Sequence, residues 1–203
     1  PTVYNPEGYM VLDAATRRNL ELMRTIRHEQ KNGSLLWVLD KTRTAPGGRL
    51  LKRWLQQPLL DREAIICRLD AVQELTENLS VGEDLREYLE QVYDLERLMG
   101  RIHCENAHAR DLVALRSTLA VLPDITAALK KGPSRMQALA CRIPDLADLT
   151  AYLTAAIADD PPLTLREGNL IRDGFNDEVD RLRYTARNGR SSILAVERQE
   201  RER

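Results

Sequence analysis

The chain is short of aromatic residues, with one Phe, two Trp and six Tyr in 203 positions. Twisted sheets lean on aromatic and β-branched side chains, whereas Leu, Ala, Arg and Glu at a charged fraction of 30% suit long, solvent-exposed helices. Net charge is also lacking. Thirty Lys and Arg offset 31 Asp and Glu, so the chain as a whole exerts no pull on nucleic-acid phosphates or anionic lipid, and any such contact must be local. The three cysteines, Cys67, Cys104 and Cys141, are odd in number and widely spaced, which fits reduced thiols better than a disulfide scaffold. No stretch approaches the roughly 18 uninterrupted apolar residues of a membrane span, and Pro1 to Tyr9 is not laid out as a signal peptide. A cytoplasmic chain with no membrane partner is expected. The sequence starts without Met and stops within the charged run Glu197 to Arg203, so it reads as an internal piece of something longer.

What is present is helical arithmetic. Tyr9-Met10-Val11-Leu12 is the one run suited to a short strand, and Asp13 after it can cap a helix. Thr44 caps the next clear pattern, Pro46 is tolerated in its first turn, and Leu50, Leu51, Trp54 and Leu55 recur at helical spacing until Pro58. Apolar stripes follow at Ile65, Leu69, Val72 and Leu75, at Leu85, Leu89 and Val92, and at Leu95, Leu98, Met99 and Ile102. Each needs a partner helix to cover it. Leu112, Leu115, Leu119 and Leu122 lead to Pro123, where a break is expected. Leu146, Leu149, Leu153 and Ile157 form another stripe before Asp159-Asp160-Pro161-Pro162. Asp173-Gly174 makes a turn, Asn176 can cap, and Val179, Leu182, Ala186, Gly189, Ile193 and Val196 set a narrow seam on one long helix, the preferred reading, or on two helices divided at Asn188-Gly189. The expected fold is all-α: a multi-helix bundle with a short N-terminal strand and a long C-terminal helix. It divides into a helical core, residues 1–176, and the long helix, residues 177–203.

Chemical motifs are few. His103, Cys104 and His108 fall on different helical faces with no further ligand pair, so no metal site is expected. Ser34, Ser191 and Ser192 lack elbow glycines, and no catalytic residue is expected. The basic run Arg43, Arg49, Lys52 and Arg53 includes Gly47-Gly48 but not the frame that wraps nucleotide phosphates. Its plain reading is the solvated face of a helix; a contact with a phosphate or an acidic neighbour is the alternative. Arg181, Arg183, Arg187 and Arg190 make the long helix locally positive beyond the acids at its start, where acids suit the helix dipole. Arg183, Arg187 and Arg190 are candidate DNA-backbone contacts, against the same solvated-surface reading.

Specific strings add a family. Leu12-Asp13-Ala14-Ala15-Thr16-Arg17-Arg18-Asn19-Leu20-Glu21-Leu22 resembles the opening of the core domain in MutS-type mismatch repair proteins. Ser34 to Asp40 and Thr42 to Leu55 resemble the helix pair that follows, and Asp94-Leu95-Glu96-Arg97 the next marker. Asp160-Pro161-Pro162 and Asp173 to Asp180 are similar to the approach to the lever helix, and Glu200-Arg201-Glu202-Arg203 to its passage toward the clamp. Asn169 departs from the pattern, standing where many relatives have a second glycine after Gly168.

The resemblance implies a lever segment of a protein that recognises mispaired and unpaired bases in duplex DNA as a dimer, exchanges ADP for ATP, and recruits a MutL-type partner. ATP and Mg would sit elsewhere in that protein, and this segment would hold no cofactor. Stiff helices would then turn about a few points, for which Asp173, Gly174, Asn176, Asn188 and Gly189 are the candidate hinge residues. A stand-alone helical interaction scaffold, a MutS-like paralogue outside mismatch repair, and an autonomous DNA-binding module are the alternatives.

Overall fold

The computed structural model describes residues 8–201. Ten α-helices follow one another among them: α1 (Ala14–Asn19), α2 (Leu35–Leu39), α3 (Ala45–Gln56), α4 (Arg62–Glu77), α5 (Leu79–Glu90), α6 (Leu95–His103), α7 (Ala109–Lys131), α8 (Ser134–Ala140), α9 (Ala147–Ala156) and α10 (Asp177–Arg201). The protein is all-α. Short side chains start many of these helices by satisfying free N–H groups: Asp13 accepts from the Thr16 amide at 2.6 Å, Thr44 from Gly47 at 3.1 Å and Asp94 from Arg97 at 3.3 Å. The strand expected at Tyr9 to Leu12 is reduced to one antiparallel bridge, Tyr9 with Leu59. Its partner segment is only the short link between α3 and α4, and Pro58 there has a carbonyl to offer Met10 but no N–H to give.

Helix α7 is the axis of the bundle, with α5, α6, α8 and α9 packed on it. Val121, Ile125 and Leu129 join Met136 and Ala140 of α8 in one buried cluster, against which Leu75, Leu85 and Leu89 lean. Leu115 and Leu119 meet Leu98 of α6 and Leu153 of α9 in a second. Between the clusters Thr118 is fully buried, and its hydroxyl is used twice, donating to Ala114 O at 2.9 Å and accepting from the Tyr93 N–H at 3.1 Å. By length and hydropathy α7 could cross a membrane, but its apolar residues are the core of this bundle.

Three expectations are corrected. Helix α7 does not stop at Pro123 but runs eight residues beyond it. A mid-helix proline costs about 3 kcal/mol, and burial of Ile125, Ala128 and Leu129 on the far side, at roughly 1.5–3 kcal/mol per large apolar side chain, outweighs it. Helix α4 is rotated from its expected face: Leu75 packs inward, but Leu69 and Val72 are 62% and 58% exposed. The inward face instead carries Ala71 and Leu75 against the core cluster, flanked by Asp70 and Glu74, which pair with Arg135 of α8. Helix α8 was not foreseen, because Gly132-Pro133 and its seven-residue length give too little periodicity to read.

Candidate functional site

The root of α10 is where the bundle meets its one long unpacked helix. After α9 the chain makes a loop and returns: the Ala158 N–H donates to Leu170 O at 3.0 Å and the Arg172 N–H to Ala156 O at 2.9 Å, framing a bridge between Ile157 and Ile171. The loop turns through two successive left-handed residues, Gly168 at φ +73° and Asn169 at φ +56°. Glycine takes that conformation freely and Asn is among the residues that tolerate it best, so the departure at Asn169 leaves the turn intact. Pro161 is buried, and its carbonyl accepts from Arg110 of α7 at 3.1 Å.

Charged side chains then run from the axis of the bundle to the long helix. Arg116 of α7, with only 14% of its side chain exposed, donates to Ile157 O at 3.3 Å and pairs with Asp159 at 3.1 Å. The same Asp159 oxygen takes the guanidinium of Arg172. Next along the chain, Asp173 accepts from Arg183 at 2.7 Å, and Arg183 also donates to Ile171 O at 2.8 Å. Gly174 closes the turn at φ +85°, with its N–H on Asp180 at 2.7 Å. The side-chain oxygen of Asn176 caps α10, accepting from Glu178 and Val179 at 3.0 and 3.1 Å. Phe175 packs edge-on against Tyr152 of α9 with ring centroids 5.6 Å apart. Each exposed ion pair is worth about 0–1 kcal/mol, so the chain of pairs fixes direction more than it adds stability.

Of the sequence candidates, Asp173, Gly174 and Asn176 therefore come together in one latched turn, and Arg183 is drawn into it. Asn188 and Gly189 lie thirteen and fourteen residues past Gly174's neighbour Phe175 in the interior of α10, which is unbroken from Asp177 to Arg201. The side chains of Arg187 and Arg190 lie outside the described residues. No other helix packs extensively along α10 among the described residues, and Leu182, Tyr184 and Ile193 of its surface are exposed. Sequence reasoning missed Arg116, Asp159 and Arg172. Arg116 carried a signal, because a charged residue amid Leu112, Leu115 and Leu119 must find a partner as the helix buries.

A second joint holds α3 to the bundle. Arg49 forks onto Asp94 at 2.7 and 2.8 Å and reaches Glu96 at 2.9 Å, while Arg43 pairs with Glu90 at 2.8 Å. For these two arginines the acidic-neighbour reading of the basic run holds. The fork lowers the Asp94 carboxyl to about 2 and raises the Arg49 guanidinium above its ordinary value. Asp40, bonded by Lys31 and Thr42, is likewise lowered to about 2. His103 and Cys104 end α6 and His108 precedes α7, where the Asp111 carboxylate accepts from the His108 N–H at 3.1 Å and pairs with Arg101.

A packed helical body with one long helix leaving a pinned turn defines an all-α helical domain. The chain belongs to the MutS domain III family, whose pattern matches residues 15–203. It is 50% identical over 202 residues to the DNA mismatch repair protein MutS of Symbiobacterium thermophilum and 46% identical over 202 residues to that of Desulforamulus reducens. The protein of the same name from Clostridium perfringens is 43% identical over 201 residues. These alignments cover 98–99% of this chain but only 22–23% of each relative, so the chain spans less than a quarter of their length.

Proposed function

We propose that this domain is the lever of a DNA mismatch repair protein: residues 1–176 act as a fixed body and residues 177–203 as an arm running toward a DNA clamp. The observation that carries the reading is the latched root of α10, with Arg116, Asp159, Arg172, Asp173 and Arg183 linking the axis of the bundle to an arm on which no helix packs extensively among the described residues. In the longer protein, ATP and Mg bound by another domain would set the orientation of the body, and the arm would carry it to duplex DNA containing a mismatch. Dimerisation, a MutL-type partner and work in the bacterial cytosol at the nucleoid belong to the same proposal. The domain itself performs no reaction.

At the root of the arm, Asp173, Gly174 and Asn176 form the proposed hinge; Asn188 and Gly189, the other candidates, sit inside α10, which runs through them without a break. Arg187 and Arg190 are proposed to touch DNA phosphates. For Arg183 to join them it would have to leave Asp173 and Ile171, so phosphate contact there would open the turn.

The test is Gly174→Val in the full-length protein. At φ +85° a β-branched side chain adds strain of about 1–3 kcal/mol, although a Cβ there meets nothing within 4 Å. The expected outcome is slower ATP-triggered release from a mismatch into a mobile clamp on DNA. Unchanged release kinetics and DNA affinity would remove the turn from the mechanism.

A further inference from the structure

The N-terminal unit, residues 8–60, has a surface unlike the rest of the chain. It holds 10 Lys and Arg against 4 Asp and Glu, net +6, while residues 61–203 hold 20 against 26, net −6. The near-zero total conceals this split. Arg24, Arg27, Lys41 and Lys52 of the unit are exposed and make no ion pair among the described residues.

Its apolar side chains are also turned outward. Helix α2 is apolar throughout, Leu35-Leu36-Trp37-Val38-Leu39, which is the composition of a helix covered on all sides. Only Leu36 is buried; Leu35, Trp37, Val38 and Leu39 are 40, 50, 55 and 48% exposed. The helix is nonetheless firmly placed. Its first two amides donate to Glu21 O at 3.0 Å and Leu22 O at 2.9 Å, Ser34 beneath it is fully buried, and Lys31 and Asp40 pair across it at 2.7 Å. A fixed apolar ridge with a Trp, set among unpaired cations, has the make-up of the centre and rim of a protein interface.

We propose that α2 and the cations around it form a docking surface for an acidic, apolar-centred protein surface contributed by another domain of the same polypeptide. The positive charge selects an acidic occupant. The length argument selects its source, because relatives of this chain are more than four times as long. Aliphatic Leu35, Val38 and Leu39 have nothing to offer a phosphate backbone, so the ridge favours protein over nucleic acid. This inference does not rest on the lever reading, which concerns the opposite end of the chain.

The experiment uses full-length protein, with isotopically light and heavy copies mixed, and a zero-length carbodiimide that joins amines to carboxylates in contact. Lys41, directly after α2, is expected to link to an Asp or Glu outside residues 1–203 within its own copy, without DNA. Val38→Glu, at a position exposed in this domain, is expected to abolish that link while leaving the domain's helices folded by circular dichroism. Oxidative labelling of Trp37 in the native protein is expected to be slower than after unfolding and to speed up in Val38→Glu. Links solely between copies, protection of Trp37 solely with DNA present, or Trp37 labelled as fast natively as when unfolded would each overturn the proposal. So would loss of the link with Val38→Glu accompanied by loss of helix.

Discussion

At the scale of the residue, the joint between α3 and α6 is a titration experiment waiting to be done. Asp94 is bound by the Arg49 fork and by the Arg97 N–H, and its carboxyl falls from an ordinary 3.8 to about 2. Because the folded value lies below the unfolded one, the stabilisation is fully present above about pH 4, declines as pH falls toward 2, and is gone below it. Asp94→Asn removes the charge that the fork grips. The expected outcome is a smaller loss of thermal stability between pH 4 and 2 for the variant than for the parent, read by circular dichroism melts; parallel pH profiles would contradict the assignment. Single residues were also where the sequence spoke most clearly. Asp13, Thr44 and Asn176 were legible as caps because a short oxygen-bearing side chain ahead of an apolar period has one common use. The partners of Arg116 and Arg183 were not, since Asp159 lies 43 residues from the first and the Ile171 carbonyl has no sequence mark.

At the scale of the element, periodicity marked where helices lie better than which way they face. Leu115, Leu119, Leu98 and Leu153 were rightly read as stripes and meet in one cluster. Ile65, Leu69 and Val72 kept the same spacing but look outward, while Ala71 and Leu75 pack inward beside the Asp70 and Glu74 pairs with Arg135. Period alone does not decide between those faces. Pro123 was misread for a similar reason, as local propensity lost to the packing that follows it. Two truncations separate the faces. Leu119→Ala opens a cavity between α7, α6 and α9 and is expected to cost about 2–5 kcal/mol in chemical denaturation, while Leu69→Ala, at a 62% exposed site, is expected to stay within about 0.5 kcal/mol. Equal losses would mean that α4 packs by the face the sequence suggested. The full-length protein adds a refinement: a larger effect of Leu69→Ala there than in the domain would report a cover on α4 from elsewhere in the polypeptide.

At the scale of the whole molecule, the proposed lever requires the domain to hold an angle. Its two hydrophobic clusters share α7, so α6, α8 and α9 are fixed to one axis and move with it. The loop after α9 is pinned by Arg110 and Arg116 of that axis, and α10 is pinned to the loop's end by Arg183. Beyond this root the arm has 25 residues of helix, about 37 Å at 1.5 Å per residue, and no helix packed extensively on it among the described residues. A small rotation at Gly174, if the proposed hinge turns there, would be magnified at the far end. The seam marked the arm in the sequence but left open whether Asn188-Gly189 split it in two, and the pairing at its root was not legible, because the latch is made by residues on both sides of a turn.

The most direct test of this account is a pair of distance measurements by pulsed electron spin resonance in the full-length protein, with Cys67, Cys104 and Cys141 replaced. Labels at Arg181 and Gln199 report the arm alone, and labels at Ala120 of α7 and Gln199 report the arm against the body. The account predicts a narrow distribution near 27 Å for the first pair, from 18 residues at about 1.5 Å each, unchanged when ATP replaces ADP, together with a shift in the second. A first distance that broadens with ATP, or a second that does not move, would contradict a rigid arm turning at its root.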